Sequence, residues 1–229
     1  MIYNEYKYVI ELDRVPYAVA LLESMYGNTD PYPHGTVNSL YYDSVKLALY
    51  EQCVGGNEFK AKYRVRWYDG GIYQAQIKDK DIYGIGKLKS GLLFAPDMPI
   101  SKFPMFWHDL PFNDSDQSAR DMQLRGSRVG PLYQLAHIRY YRRRYQSFDF
   151  RINIDSNIEL ETNAKHPLGL VAKIRIPLAV LEIKTRQERP ILPFLGALKL
   201  RQDSFSKYAL GMQLLLREPD ALNRYLVTT

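Results

Sequence analysis

The stretch Lys60-Ala61-Lys62-Tyr63-Arg64-Val65-Arg66-Trp67-Tyr68, the tripeptide Asp69-Gly70-Gly71, and the run Ile72-Tyr73-Gln74-Ala75-Gln76-Ile77-Lys78-Asp79-Lys80 decide how the rest of the chain is read. Side chains along a β-strand point alternately to its two faces. The first run therefore divides into Lys60, Lys62, Arg64 and Arg66 on one face and Ala61, Tyr63, Val65 and Trp67 on the other. The second divides into Gln74, Gln76, Lys78 and Lys80 against Tyr73, Ala75 and Ile77. Asp-Gly-Gly between two such runs is a hairpin turn signal. The pair predicts two antiparallel strands with one apolar and one basic face.

The same parity recurs outward from this hairpin. Period-2 alternation predicts strands at 5–11, 37–43, 59–68, 72–80, 87–94, 137–145, 149–155 and 178–185. Glu5 and Lys7 oppose Tyr6, Tyr8 and Ile10. Arg151, Asn153 and Asp155 oppose Phe150, Ile152 and Ile154, and Glu182 and Lys184 oppose Leu181 and Ile183. Helices are expected from Pro16 to about Met25, over 115–125, and from Ser206 to Arg217. The segment 95–113, with four prolines and several aromatics, reads as a long connection packed on the surface. No repeat or composition break divides the sequence, so one domain over residues 1–229 is the simplest organisation.

A polar face on an antiparallel sheet has two readings. It is either the ordinary solvated side or a surface built for an anion. A solvated face normally mixes signs, whereas Lys60, Lys62, Arg64 and Arg66 carry one sign in a row and repel one another. An anionic ligand relieves that repulsion, with Arg forking onto phosphate oxygens and Lys acting as a point charge. Periodicity alone leaves both readings open.

Composition narrows the partners. A net charge of +6 and a pI near 9.2 favour anions in general. The single Cys53 cannot form an intrachain disulfide, the N-terminus lacks a signal-peptide apolar run, and no stretch has the length of a membrane span. A soluble, cytoplasmic protein with no membrane segment of its own is expected. The four histidines, at 34, 108, 137 and 166, lie scattered, and no Gly-rich phosphate loop occurs. The run Tyr140-Tyr141-Arg142-Arg143-Arg144-Tyr145 mixes base and aromatic as single-strand-binding surfaces do. Alternation splits its arginines between two faces, which disfavours a nucleic-acid partner.

Several segments together resemble the VTC (vacuolar transporter chaperone) domain, a branch of the triphosphate tunnel metalloenzyme superfamily. They are EYKYVIE at 5–11, SLYYD at 39–43, KYRVRWY at 62–68, QIK at 76–78, GKLK at 86–89, YYRRRY at 140–145, FRINID at 150–155, LEIK at 181–184 and SFSKY at 204–208. The resemblance implies an α+β, mainly antiparallel fold. Its centre would be a closed β-barrel with a basic interior, its apolar face packed outward under helices that include the last one. It also implies a bound triphosphate or polyphosphate and a divalent metal, Mn²⁺ or Mg²⁺.

Carried over by motif, Arg64, Arg66, Lys78, Arg142 and Arg151 match the catalytic basic positions. Lys7, Lys89 (or Lys87) and Lys207 match phosphate-binding ones, and Lys60, Lys62, Lys184 and Arg201 are added as neighbours able to reach the same phosphates. Glu182 matches the metal-binding carboxylate, with Glu5 and Asp155 as helpers. Three features depart from the pattern: Gln76 stands where the family usually has Glu, Cys53 lies nearest a further arginine of the polymerising members, and a second late basic residue ahead of the SKY-like motif has Arg201 only as its nearest candidate. The leading expectation is an ATP-dependent polyphosphate polymerase. The alternatives are a tripolyphosphatase or nucleoside triphosphatase, and a binding module without catalysis.

Overall fold

The computed structural model describes residues 4–27, 30–58, 60–69, 71–81, 84–95, 98–112, 116–162, 166–188, 192–200, 202–218 and 222. One mainly antiparallel sheet organises them. Its strands are β1 (Asn4–Glu11), β2 (His34–Asp43), β3 (Lys60–Tyr68), β4 (Gln74–Asp81), β5 (Gly84–Gly91), β6 (Tyr133–Gln146), β7 (Phe150–Glu161), β8 (Lys173–Ile176) and β9 (Leu178–Thr185). The spatial order is β1-β9-β7-β6-β2-β3-β4-β5, with β8 paired to the far end of β7. The α-helices among the described residues are α1 (Val15–Tyr26), α2 (Ala48–Val54), α3 (Gln117–Val129), α4 (Pro193–Leu198) and α5 (Lys207–Leu215).

The sheet curls, but its hydrogen bonding does not run full circle, so the closed barrel expected from sequence is not shown. Among the described residues no hydrogen-bonded ladder joins the edge strands β1 and β5. The free edge of β1 is met instead by the segment before α5, through a Tyr8↔Gln202 bridge and an Asp203 N–H donated to the Lys7 carbonyl at 2.9 Å. Side chains cross the remaining gap: Lys78 on β4 pairs with Glu5 on β1 at 3.1 Å, and Lys62 on β3 reaches Ser206 Oγ at 2.9 Å.

The apolar parity set covers the convex side in two clusters. Tyr8, Ile10, Ile152, Ile154, Leu181 and Ile183 pack beneath Ala18 and Leu22 of α1 and Phe194 and Leu198 of α4. Tyr63, Val65, Ala75 and Ile77 pack beneath Phe103 and Trp107 of the long connection and Met122 of α3. Both helices expected near these positions, and the surface-packed connection, are present.

The last helix departs from its expected place outside the sheet. Tyr208 and Met212 of α5 sit among Val37, Tyr41, Ile138 and Tyr140, whose side chains share the concave face with the cations. The Tyr208 ring stacks on Tyr41 with centroids 4.8 Å apart and planes 8° from parallel. Strand β7 shows how the concave side becomes apolar at this end. Asn157 adopts a left-handed conformation (φ 50°), a region Asn tolerates better than most residues. The β6–β7 register shifts across the same stretch. Ile152 and Ile154 therefore face outward, whereas Ile158 and Leu160, beyond the shift, face the α5 cluster. The groove is thus polar for part of its length and plugged by α5 at one end.

Candidate functional site

Strand register aligns the polar face into rows. Lys7 is opposite Glu182, Glu182 opposite Asn153, and Asn153 opposite Arg144. Asp155 is opposite Arg142. On the other wall Tyr41, Arg64, Gln76 and Lys89 form one row and Lys62, Lys78 and Lys87 the next. A cavity of about 710 Å³ opens at the β1/β4 gap, and Lys7, Lys60, Lys62, Lys78, Glu5 and Cys53 are among its walls.

Asp155 is the most constrained carboxylate. It is fully buried and receives two hydrogen bonds from Arg142, Nε to Oδ1 at 2.6 Å and Nη2 to Oδ2 at 2.8 Å. Lys207, the first residue of α5, reaches Oδ2 at 2.6 Å with its Nζ 4.7 Å from the Tyr140 ring centroid. Burial alone would raise the Asp155 pKa, but Arg142 and Lys207 outweigh it and hold the acid below the usual range. This knot fixes the closing helix to the sheet.

Glu5 and Glu182 lie close enough to perturb each other and share Lys184, which is 3.8 Å from Glu5 and 3.0 Å from Glu182. Burial and the Glu182 charge both push Glu5 up, yet Lys7, Lys78 and Lys184 bring it to about 2. Glu182 is likewise held well below its ordinary value, against burial, by Lys184, Arg142, Lys7 and Lys207.

The opposite wall carries uncompensated positive charge. Arg64 donates from Nε (3.2 Å) and Nη2 (3.0 Å) to the single amide oxygen of buried Gln76. A glutamate there would neutralise the guanidinium; Gln76 orients it and leaves its charge free. Arg66 donates to Ser39 Oγ at 2.9 Å. Burial, with Lys7 and Lys78 adjacent, lowers Lys62 to about 8. Lys87 is lowered to about 7 by desolvation and by the charges of Arg64, Lys89, Lys184 and Arg66.

The structure therefore brings together Lys7, Lys62, Lys78, Lys184, Lys207, Arg142, Arg64 and Arg66 with all three predicted carboxylates. Lys60 lines the cavity, and Lys89 sits exposed on β5. Arg151 stands apart at the rim with its side chain half exposed, 3.7 Å from Asp30. Arg201 lies outside the described residues. Two groups were missed by sequence reasoning: Tyr41 and Tyr140. Alternation through Ser39-Leu40-Tyr41-Tyr42 would have put Tyr41 on the basic face, but only once the register of β2 against β3 was known.

Whether these residues suit a divalent cation follows from their partners. Both oxygens of Asp155 are already engaged by cations. Among the described residues no group of three or more His, Cys, Asp or Glu converges. An all-protein cage does not fit. Mg²⁺, however, is commonly held by one or two carboxylates plus substrate phosphates; both oxygens of Glu5 face Lys7 and Lys78, so a cation there would displace those ammonium groups, whereas Glu182 meets Lys184 through Oε1 and is the better-placed carboxylate.

Comparison with known proteins places this arrangement. The VTC domain family matches residues 2–89 and 100–216. The chain belongs to the VTC domain family. No curated protein matches it significantly. A solved structure described as a "putative adenylate cyclase" from Bacillus halodurans is 11% identical, with a TM-score of 0.54, covering 90% of this chain and 94% of that one. A second with the same description, from Vibrio parahaemolyticus, is 10% identical with a TM-score of 0.47, covering 95% and 98%. The first likeness is one of fold alone. Among the described residues no helix is long and apolar enough to cross a membrane.

Proposed function

We propose that this VTC-domain protein is a metal-dependent polyphosphate polymerase that passes the γ-phosphate of ATP to a phosphate chain held in the groove. The observation that carries this reading is the state of the three inward-facing acids. Glu5, Asp155 and Glu182 are each flanked by cations that hold them ionised far below neutral pH. Carboxylates that acidic are poor proton acceptors. Hydrolysis needs a group to take a proton from water, whereas the terminal phosphate of a growing chain is already ionised.

In the proposed step an oxygen of that terminal phosphate attacks the γ-phosphorus of ATP. The bond from the γ-phosphorus to the β–γ bridging oxygen breaks, and ADP leaves with its electron pair. Phosphoryl transfer relies on positioning and charge stabilisation. Arg64, oriented by Gln76, and Arg66, oriented by Ser39, would fork onto non-bridging oxygens. Lys7, Lys62 and Lys78 would neutralise charge along the chain. Arg142 is pre-aimed by Asp155. Glu5 and Glu182 would hold a divalent cation, which supplies further charge neutralisation when bound.

Incubating the purified protein with ATP and Mn²⁺ tests this reading. Long polyphosphate and ADP are expected. Orthophosphate as the sole phosphate product overturns it in favour of a triphosphatase, and tight binding without turnover overturns it in favour of a binding module.

A further inference from the structure

The hydroxyl of Tyr41 occupies an unusual position on the groove wall. The residue is 6% exposed, and its ring is clamped against Tyr208 by stacking. Arg64 Nη1 donates to the Tyr41 oxygen at 3.2 Å. The phenol's own proton then needs an acceptor, and the groups around it are donors. Lys62, Arg64 and Arg66 face it from β3, and Lys7 feels its charge from β1. From α5 the Tyr208 hydroxyl is committed to Asp43 at 2.7 Å. Asp43 also accepts from the backbone N–H groups of Leu49 and Tyr50, so it serves the start of α2 and not Tyr41. Cys53 of α2 lies near Tyr208. Among the described residues, no protein acceptor for the Tyr41 proton is found. Arg and the ammonium form of Lys have donors only, so below the titration of Lys62 they cannot supply one.

We infer that Tyr41 is a ligand for the bound phosphate chain, its O–H donating to a non-bridging phosphate oxygen while Arg64 holds the phenol oxygen from the other side. The inference rests on the function proposed above and adds a neutral donor that can tell phosphate from cation. It has a second consequence. Burial opposes ionisation of Tyr41, but Arg64, Arg66 and Lys62 outweigh it and lower the phenol to about 7. Above neutrality the empty groove therefore holds a phenolate as an internal counter-ion. An arriving polyanion replaces that negative charge, and the phenolate takes a proton from solution to become the donor.

Tripolyphosphate, titrated by calorimetry into the full chain and into Tyr41→Phe, tests this, because Phe keeps the ring stack and removes only the hydroxyl. At pH 8, in buffers of different ionisation enthalpy, the wild type should take up nearly one proton more than the variant. Its tyrosinate ultraviolet signal should fall on binding, and that change should be missing in the variant. At pH 6.5 the variant should bind about tenfold more weakly, the usual scale for losing a hydrogen bond to a charged group. Equal affinity, proton uptake and spectral change in the two proteins overturns the role of Tyr41 while leaving the proposed function standing. Failure of the wild type to bind tripolyphosphate overturns both.

Discussion

Replacing Asp155 by Asn should be expensive to the free protein and cheaper to the liganded one. The carboxylate is fully buried and accepts from Arg142 twice and from Lys207 once. Asn keeps the volume but removes the charge, leaving two cations close together with only Glu182, shared with Lys184 and Lys7, to offset them. Removing one partner from a buried ionic cluster costs about 3–5 kcal/mol, a large share of the roughly 5–15 kcal/mol that holds a domain together. At about 2–4 °C per kcal/mol for a chain of this size, the melting temperature should fall by roughly 6–20 °C. The pH dependence has a definite sign. The Asp155 pKa is depressed in the folded state, so its contribution is present above the unfolded value of about 3.9 and disappears as pH falls through the folded value. The wild-type stability curve should drop in that acidic window and the variant's should be flatter. If the groove is a phosphate site, tripolyphosphate supplies the missing negative charge and should restore more stability to Asp155→Asn than it adds to the wild type. Urea denaturation with and without saturating tripolyphosphate measures both quantities. A cost below about 1 kcal/mol, or equal ligand stabilisation in the two proteins, would refute the electrostatic account of this knot.

Three other outcomes follow from the same geometry. Gln76→Glu gives Arg64 a private counter-ion and should weaken tripolyphosphate binding about tenfold by calorimetry, a hydrogen-bonded charge being worth roughly 1.5–3 kcal/mol. Affinity for tripolyphosphate should decline as pH rises from about 7 to 9, because in the empty groove Lys87 and Lys62 lose charge near 7 and 8 and Tyr41 gains a negative charge near 7; ionisation of the ligand only adds negative charge to it and acts in the opposite direction. Glu182→Gln should abolish metal-dependent turnover of ATP yet preserve or tighten tripolyphosphate binding in chelator, since it removes a like charge from the ligand's surroundings. Loss of both properties together would show a structural role.

Strand parity was legible because it needs only alternation, and eight of the strands stand close to where the sequence places them. Lys60 to Arg66 share a face in the structure as in the sequence. What alternation cannot report is the point where it breaks. The left-handed Asn157 extends β7 to Glu161 and changes which residues face inward, so Ile158 and Leu160 were not recognised as groove residues. Short β8 and the helices α2 and α4 also escaped. The N-cap residue of α2, Leu47, has no capping side chain; the early N–H groups are satisfied by Ser44 and Asp43 just upstream, where the sequence offers no standard capping spacing. The place of α5 was misjudged because its apolar spacing is the same whichever side of the sheet it covers. The cations were found as single residues, but their pairing with Asp155, Glu5 and Glu182 depends on cross-strand register. That register also made Tyr41 a neighbour of Arg64.

On the proposed polymerase reading, the unjoined seam between the first and fifth strands bears on how a long polymer would get in and out. A ring closed by backbone ladders admits a chain only by its end, like thread through a needle. Here the two lips are tied by Lys78 to Glu5 and Lys62 to Ser206, contacts a polyanion can exchange for its own without breaking a single main-chain bond. A phosphate chain already hundreds of units long could thus be laid in sideways and lifted out again. Extension would then not depend on finding a free terminus before every encounter, only before every transfer.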